Sequence, residues 1–191
     1  MPKIVDKSQK RKNIAKSTCS LFIEQGFVNI SISQIAKVAG IGKGTIYEYF
    51  KNKEDIVLEL MGCLQEEYDP KLQHNLSKEI SVEKKVIYLF DIFLNDDETT
   101  QAQRKIYKEF LAIYLNNPTD EIIEYHNQLK EKYLTILTNI LQEYITKKEI
   151  KKEVLLFVPS LIATVEGFFI ANEKKEYIVE YINNLFKLLK I

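Results

Sequence analysis

Three of the chain's six glycines fall within five positions, at 40, 42 and 44. They interrupt the stretch 33–56, SQIAKVAGIGKGTIYEYFKNKEDI. Apolar residues recur at helical spacing on both sides of the break: Ile32, Ile35 and Ala36 before it, Ile46 and Phe50 after it. Glycine permits backbone angles that a side chain resists. The pattern therefore predicts two short helices joined by a tight turn over Gly40, Ile41 and Gly42, a helix-turn-helix. The two helices must cross closely at Ala36, where a larger residue would push them apart. Ile32, Ile35, Ile46 and Phe50 then share a small core with Leu21 and Phe22 of a preceding helix. Ile46 and Phe50 lie four apart, on one helix face. This leaves Lys43, Gly44, Thr45, Tyr47 and Glu48 mostly on the other.

The outer face suits a DNA major groove. Gly44 allows close approach of the backbone. Lys43 offers a cation to phosphate or to guanine acceptors. Thr45 and Tyr47 offer hydroxyls, and apolar surface for a thymine methyl. Lys53, at the start of a fourth helix, is placed to point its ammonium at a phosphate beside that helix's first backbone amides. In the helix-turn-helix docking mode the second helix enters the groove and flanking elements hold the backbone.

Charge supports a division of labour. The formal net charge is zero, yet residues 1–53 carry 10 Lys and Arg against 3 Asp and Glu, while residues 54–191 carry 17 against 24. A basic first quarter faces something anionic; the acidic remainder does not. We expect two domains, 1–53 for DNA binding and 54–191 for the rest.

The whole chain reads as helix. Few glycines and prolines, many Leu, Ile, Lys and Glu, and no sustained strand-like alternation place it in the all-α class. A first helix runs from about Ser8, a plausible N-cap, to Gly26; Ser31 or Ser33 caps the next, and Gly40 ends it. The long fourth helix begins at Glu54 and extends toward or past Pro70. Five more follow, near 81–95, 99–116, 119–147, 150–172 and 175–190, giving about nine in all. One stretch, 154–171 (VLLFVPSLIATVEGFFIA), is apolar nearly all round and 18 residues long, so a membrane span must be weighed. Pro159, Ser160, Thr164 and Glu166 oppose that reading, since a mid-span carboxylate costs roughly 3 kcal/mol. A helix buried on more than one side, shared with a second subunit, is expected instead.

The segment 10–60 resembles the DNA-binding domain of the TetR/AcrR family of bacterial transcriptional regulators. The pieces LFIEQGF, ISISQIAKVAGI and GKGTIYEYFKNKEDI arrive in the family's order. The resemblance implies that Lys43, Gly44, Thr45, Tyr47 and Tyr49 belong to the recognition helix. It also implies that Lys53 contacts phosphate and that Ser31 touches the DNA backbone. Glu48 is a less usual choice there; it either accepts from a cytosine amino group or faces away. Further implications are an all-α C-terminal body that binds an effector and a homodimer built on a four-helix bundle of the last two helices. ATVEGFFIAN is similar to the family's small-acidic-Gly pattern, where Gly167 allows close helix approach. The implied function is a repressor released from a palindromic operator when an effector tilts the long fourth helix.

The middle helices are rich in aromatics. Phe90, Phe93, Tyr107, Phe110, Tyr114 and Tyr125 make an apolar effector pocket with a few hydroxyls credible, suited to a small, largely apolar ligand. Glu166 is the polar exception. A buried carboxylate must be paired or neutralised, either by a lysine or hydroxyl across the interface or by a cationic or hydroxylated effector. A competing reading keeps the same DNA-binding head but gives the body a protein partner, making the chain a dimeric adaptor. Enzyme signatures are absent: His74 and His126 lack metal-ligand spacing, and there is neither a phosphate loop nor a nucleophile elbow. No cofactor and no metal are expected. Cys19 and Cys63 read as reduced thiols of a cytoplasmic protein. The charged opening MPKIVDKSQKRKN lacks the apolar core of a signal peptide.

Overall fold

A computed structural model describes residues 6–191; residues 1–5, the first part of the charged opening, lie outside the described residues. The α-helices in chain order are α1 (Lys7–Ser17), α2 (Cys19–Gln25), α3 (Ile32–Val38), α4 (Lys43–Tyr49), α5 (Lys53–Leu76), α6 (Val82–Leu89), α7 (Asp91–Leu94), α8 (Glu98–Asn116), α9 (Asp120–Thr146), α10 (Val158–Ile170) and α11 (Lys175–Leu189). Among the described residues there is no strand, only an isolated bridge between Ile150 and Lys190. The all-α class follows.

Eleven segments replace the expected nine because two helices break without glycine or proline. The first breaks at Thr18, fully buried, whose hydroxyl donates to the carbonyl of Ala15 at 2.6 Å. The second breaks at Phe90, also buried, where φ −100° and ψ 14° leave the helical range. Asp6 caps α1, not Ser8: its carboxylate accepts from the backbone amides of Ser8 and Gln9. Pro70 sits inside α5, which runs on to Leu76.

The chain divides into two compact units. One comprises the chain up to Tyr68 together with Ala102–Tyr125; the other comprises Asp69–Gln101 and His126–Ile191. The first contains α1–α4, α5 as far as Tyr68, most of α8 and the first residues of α9. Its head has a core of Ile14, Ala15, Leu21, Phe22, Ile30, Ile35, Ala36, Ile46 and Phe50, all buried. In this core Ile32, expected inside, is only half-buried.

In the second unit α11 packs on α6 and turns Ile178, Ile182, Phe186 and Leu189 inward. Lys85, only 5% exposed, reaches Glu143 at 2.8 Å; charge pairing is what makes such burial tolerable. The apolar stretch departs from expectation. It is a 3-10 segment, Lys152–Phe157, followed by α10 with Pro159 in its first turn. Lys152–Ile170 is long and apolar enough to cross a membrane by length and composition, the only such stretch among the described residues. Within the unit it buries one face, through Val158, Leu161, Val165 and Phe169. In the single chain its other side is open, with Leu156 80% and Ile170 54% exposed.

Candidate nucleic-acid interface

The helix-turn-helix is built from local rules. Ser31 caps α3 in a capping box: its hydroxyl accepts from the amide of Gln34, whose side-chain oxygen accepts from the amide of Ser31. At the far end Gly40 takes φ 65°, the left-handed conformation that favours glycine, and the amide of Ile41 returns to the carbonyl of Ala36 at 3.0 Å. Gly42, by contrast, has φ −70° and serves as the N-cap of α4; its backbone needs no glycine. A Cβ placed on Gly44 would meet nothing within 4 Å. The surface over Gly44 is open.

α4 faces two ways. Ile46 is wholly buried and Phe50, which ends the helix, nearly so. Lys43, Gly44, Tyr47 and Glu48 are exposed, Tyr47 at 54%; Thr45 and Tyr49 are half-buried. Ser31 is exposed at the head of α3. The structure thus brings Lys43, Gly44, Tyr47 and Glu48 onto one open face of a single helix, with Thr45 and Tyr49 at its margin.

Lys53 is placed differently from a free phosphate ligand. Its ammonium donates to the carbonyls of Phe27 at 2.8 Å and Ile30 at 2.7 Å, and lies 4.4 Å from the centre of the Phe27 ring. The cation braces the loop that enters α3 while remaining half-exposed. The amide of the same Phe27 donates to Glu109 on α8 at 2.6 Å.

Two contributors escape sequence reading. Arg11 on α1 donates to the carbonyl of Tyr49 and pairs with Asp55 and Glu59 on α5. Its position three residues before the buried Ile14 is the only hint in the sequence that it faces inward. Glu109 carries no local signal at all, since its partner lies 82 residues away.

The residues expected to meet an effector divide between the two units. In the first, Phe110 is fully buried, stacks with Tyr107 at 6.1 Å and meets Tyr125 edge-on at 5.5 Å. The hydroxyl of Tyr125 donates to Gln65, and Tyr114 is half-buried. In the second, Phe90 is buried and Phe93 stacks on Phe169 at 4.6 Å. Glu166 is half-buried, not enclosed, so water shares its solvation. It acts on His126, whose pKa lies below the ordinary imidazole value: burial lowers it, and the Glu166 carboxylate raises it only in part. Cys19 and Cys63 are free thiols, both pushed up in pKa by burial. Among the described residues no group of three or more His, Cys, Asp or Glu is placed to hold a metal ion.

Known proteins match this arrangement. Residues 14–60 match the family described as bacterial regulatory proteins, tetR family. The chain is 26% identical to the fatty acid metabolism regulator protein of Bacillus subtilis (strain 168), over 96% of this chain and 95% of that one. Its fold is shared with a TetR-family transcriptional regulator from Cytophaga hutchinsonii, with a TM-score of 0.78, 19% identity and 99% of each chain covered. It is shared also with a regulator from Saccharomonospora viridis solved in complex with choline, with a TM-score of 0.80, 16% identity and 96% and 99% covered. Helix-turn-helix, helical body and matched segment agree: this chain is a transcriptional regulator, not an enzyme, and its residues 14–60 carry the DNA-binding segment of the tetR family of bacterial regulatory proteins.

Proposed function

We propose that the chain is a homodimeric repressor that leaves a palindromic operator when a small, largely apolar effector binds. The observation that carries the DNA-binding half is the open face of α4. Lys43, Gly44, Tyr47 and Glu48 are exposed, and Ile46 and Phe50 on the opposite side are buried. A helix anchored on one side and bare on the other is what entry into a major groove requires. Lys43, Gly44, Thr45, Tyr47, Glu48 and Tyr49 form the reading surface, and Ser31 and Lys53 flank it. Functionally the boundary lies at residues 53 and 54, where the basic segment ends, although α5 continues through it.

A fatty acyl compound is the effector class best supported. The relative from B. subtilis is a regulator of fatty acid metabolism, and the Tyr107, Phe110 and Tyr125 cluster offers aromatic surface to an apolar chain. Tyr114 is the further contact we assign in that unit, and Phe90, Phe93 and Glu166 are candidate contacts within the other. Glu166 would suit a cationic or hydroxylated group, and the fold neighbour from S. viridis holds a cation, choline. Dimerisation uses the apolar surface left bare on α10 and α11. The location is the cytoplasm, where operator DNA is.

The experiment is a selection of duplexes from fragmented genomic DNA, followed by titration with palmitate and, separately, with choline. Tyr47→Ala is expected to lose about 1–3 kcal/mol on the selected duplex and less on random DNA. Palmitate is expected to weaken binding by about 5- to 150-fold. A duplex held equally tightly at saturating palmitate and choline would leave a DNA-binding protein without this sensor, and would favour an adaptor whose body docks a protein.

A further inference from the structure

We propose that Glu109 is a positioning residue for DNA binding, coupling α8 to the recognition helices through the backbone of Phe27. The inference rests on the DNA-binding reading above and adds to it a named contact.

The loop 26–30 joins α2 to α3 and sets where α3 begins. Burial of its own side chains holds it only in part: Ile30 is buried, but Val28 is 83% exposed. Its middle is held by charge. Both backbone polar groups of Phe27 are taken by side chains from helices outside α1–α4. Its amide donates to the Glu109 carboxylate at 2.6 Å, and its carbonyl accepts from Lys53 at 2.8 Å. Lys53 also reaches the carbonyl of Ile30, the residue immediately before the Ser31 cap. Hydrogen bonds with one ionised partner are roughly twice as strong as neutral ones. The start of α3 is therefore located by two ionised groups, one on α5 and one on α8.

The two supports are not equivalent. Lys53 stands on the first turn of α5, which Arg11 already ties to α1 and α4. Glu109 stands on α8, outside that knot. Both its carboxylate oxygens lie 3.5 Å from where a Cβ on Gly26 would be, so the acid packs against a residue at φ 73° that only glycine adopts easily. The next residue along α8 is Phe110, fully buried and in ring contact with Tyr107 and Tyr125. A repacking of that aromatic cluster must move the backbone that carries Glu109. The carboxylate then pulls on Phe27 or lets it go, and α3 and α4 shift with the loop. A coupling claim needs an element that both sites bias; here that element is the loop 26–30.

The test is a double-mutant cycle on the full chain, read with the duplex that the wild-type protein selects from a randomised pool. Phe110→Leu perturbs the cluster, and Tyr107→Leu does so at its rim should the first variant fold poorly. Each is made with Glu109 intact, with Glu109→Gln and with Glu109→Ala. With Glu109 intact the cluster variant is expected to change the duplex Kd about fivefold. In the Glu109→Ala background that change is expected to vanish, and Glu109→Gln, which keeps an acceptor, restores part of it. Amide hydrogen exchange gives a second readout: the cluster variant should alter protection over residues 27–36, and Glu109→Ala should abolish the alteration. Equal fold-changes in both backgrounds, or a cluster variant that moves neither the Kd nor those amides, overturns the proposal. A wild-type protein that selects no duplex defeats the DNA-binding reading instead, and the amide pattern then decides the coupling alone.

Discussion

The guanidinium of Arg11 on α1 donates to the carbonyl oxygen of Tyr49, the last residue of α4. That carbonyl is one of the C-terminal acceptors a helix cannot satisfy by itself, and a cation there also suits the helix dipole. The same group pairs with Asp55 and Glu59 on α5 and lies 4.4 Å from the centre of the Phe50 ring. One side chain thus joins three helices behind the reading face. Arg11→Lys keeps the charge but not the fork, and is expected to cost about 1–2 kcal/mol, with Arg11→Ala about 2–3. Urea unfolding measures this. Lys12→Ala, which breaks a pair with the exposed Glu66, serves as the comparison and should cost clearly less than Arg11→Ala, because solvent screens that pair. Equal losses from Arg11→Ala and Lys12→Ala would deny Arg11 its joining role.

Lys53 carries two duties that a single substitution separates. A cation that only meets phosphate leaves the unbound protein's stability untouched when removed. Lys53 instead holds two carbonyls of the loop before α3. Lys53→Met is therefore expected to lower stability by about 1–2 kcal/mol, and to weaken binding by a similar factor on selected and random duplexes. Calorimetry and a binding titration check the two halves. An unchanged melting temperature would remove the bracing role.

The helical class and the limits of the longer helices were legible because amphipathic repeats are local. The expected 99–116, 119–147 and 175–190 lie within a residue of α8, α9 and α11. The helix-turn-helix was legible for the same reason, with Gly40 marking the turn. What escaped depends on partners far along the chain. Thr18 breaks a helix through burial that no neighbour announces. Asp6 and Ser8 are equally good caps on paper, and the first helix begins early enough to use Asp6. A surface lysine reads alike whether it meets a phosphate or, as Lys53 does, a carbonyl 23 or 26 residues away. The stretch 154–171 has no polar face to give it direction, so periodicity could not tell which side would stay bare.

That bare side leads to a prediction. Leu156 (80%), Ile170 (54%), Leu188 (75%) and Ile191 (78%) remain exposed on or beside α10 and α11. Surface of this kind on the last two helices is what a second copy would cover. Leu188→Glu and Phe157→Glu each place a charge where apolar contact is expected, and each should turn the dimer into monomers in light-scattering chromatography. Operator affinity should fall in parallel, because two half-sites are no longer held together. A wild-type chain that is monomeric at micromolar concentration would end this account of α10 and α11.

His126 supplies a pH dependence with a definite sign. Burial sets its pKa below the unfolded imidazole value of about 6.5. Lys130 lowers it further and Glu166 raises it, so the folded value remains depressed. Below about pH 6.5 the unfolded chain therefore takes up more protons than the folded one. Stability should be level above that pH, fall as the pH drops toward the folded pKa, and then level again. Urea unfolding across this window measures the fall. His126→Gln should flatten it. Glu166→Gln removes the group that props the imidazole up, lowers the folded pKa further, and should deepen the fall and extend it to lower pH. The same slope in His126→Gln as in the wild type would assign the effect to other groups. A shallower fall in Glu166→Gln would mean that the carboxylate does not act on His126 in solution.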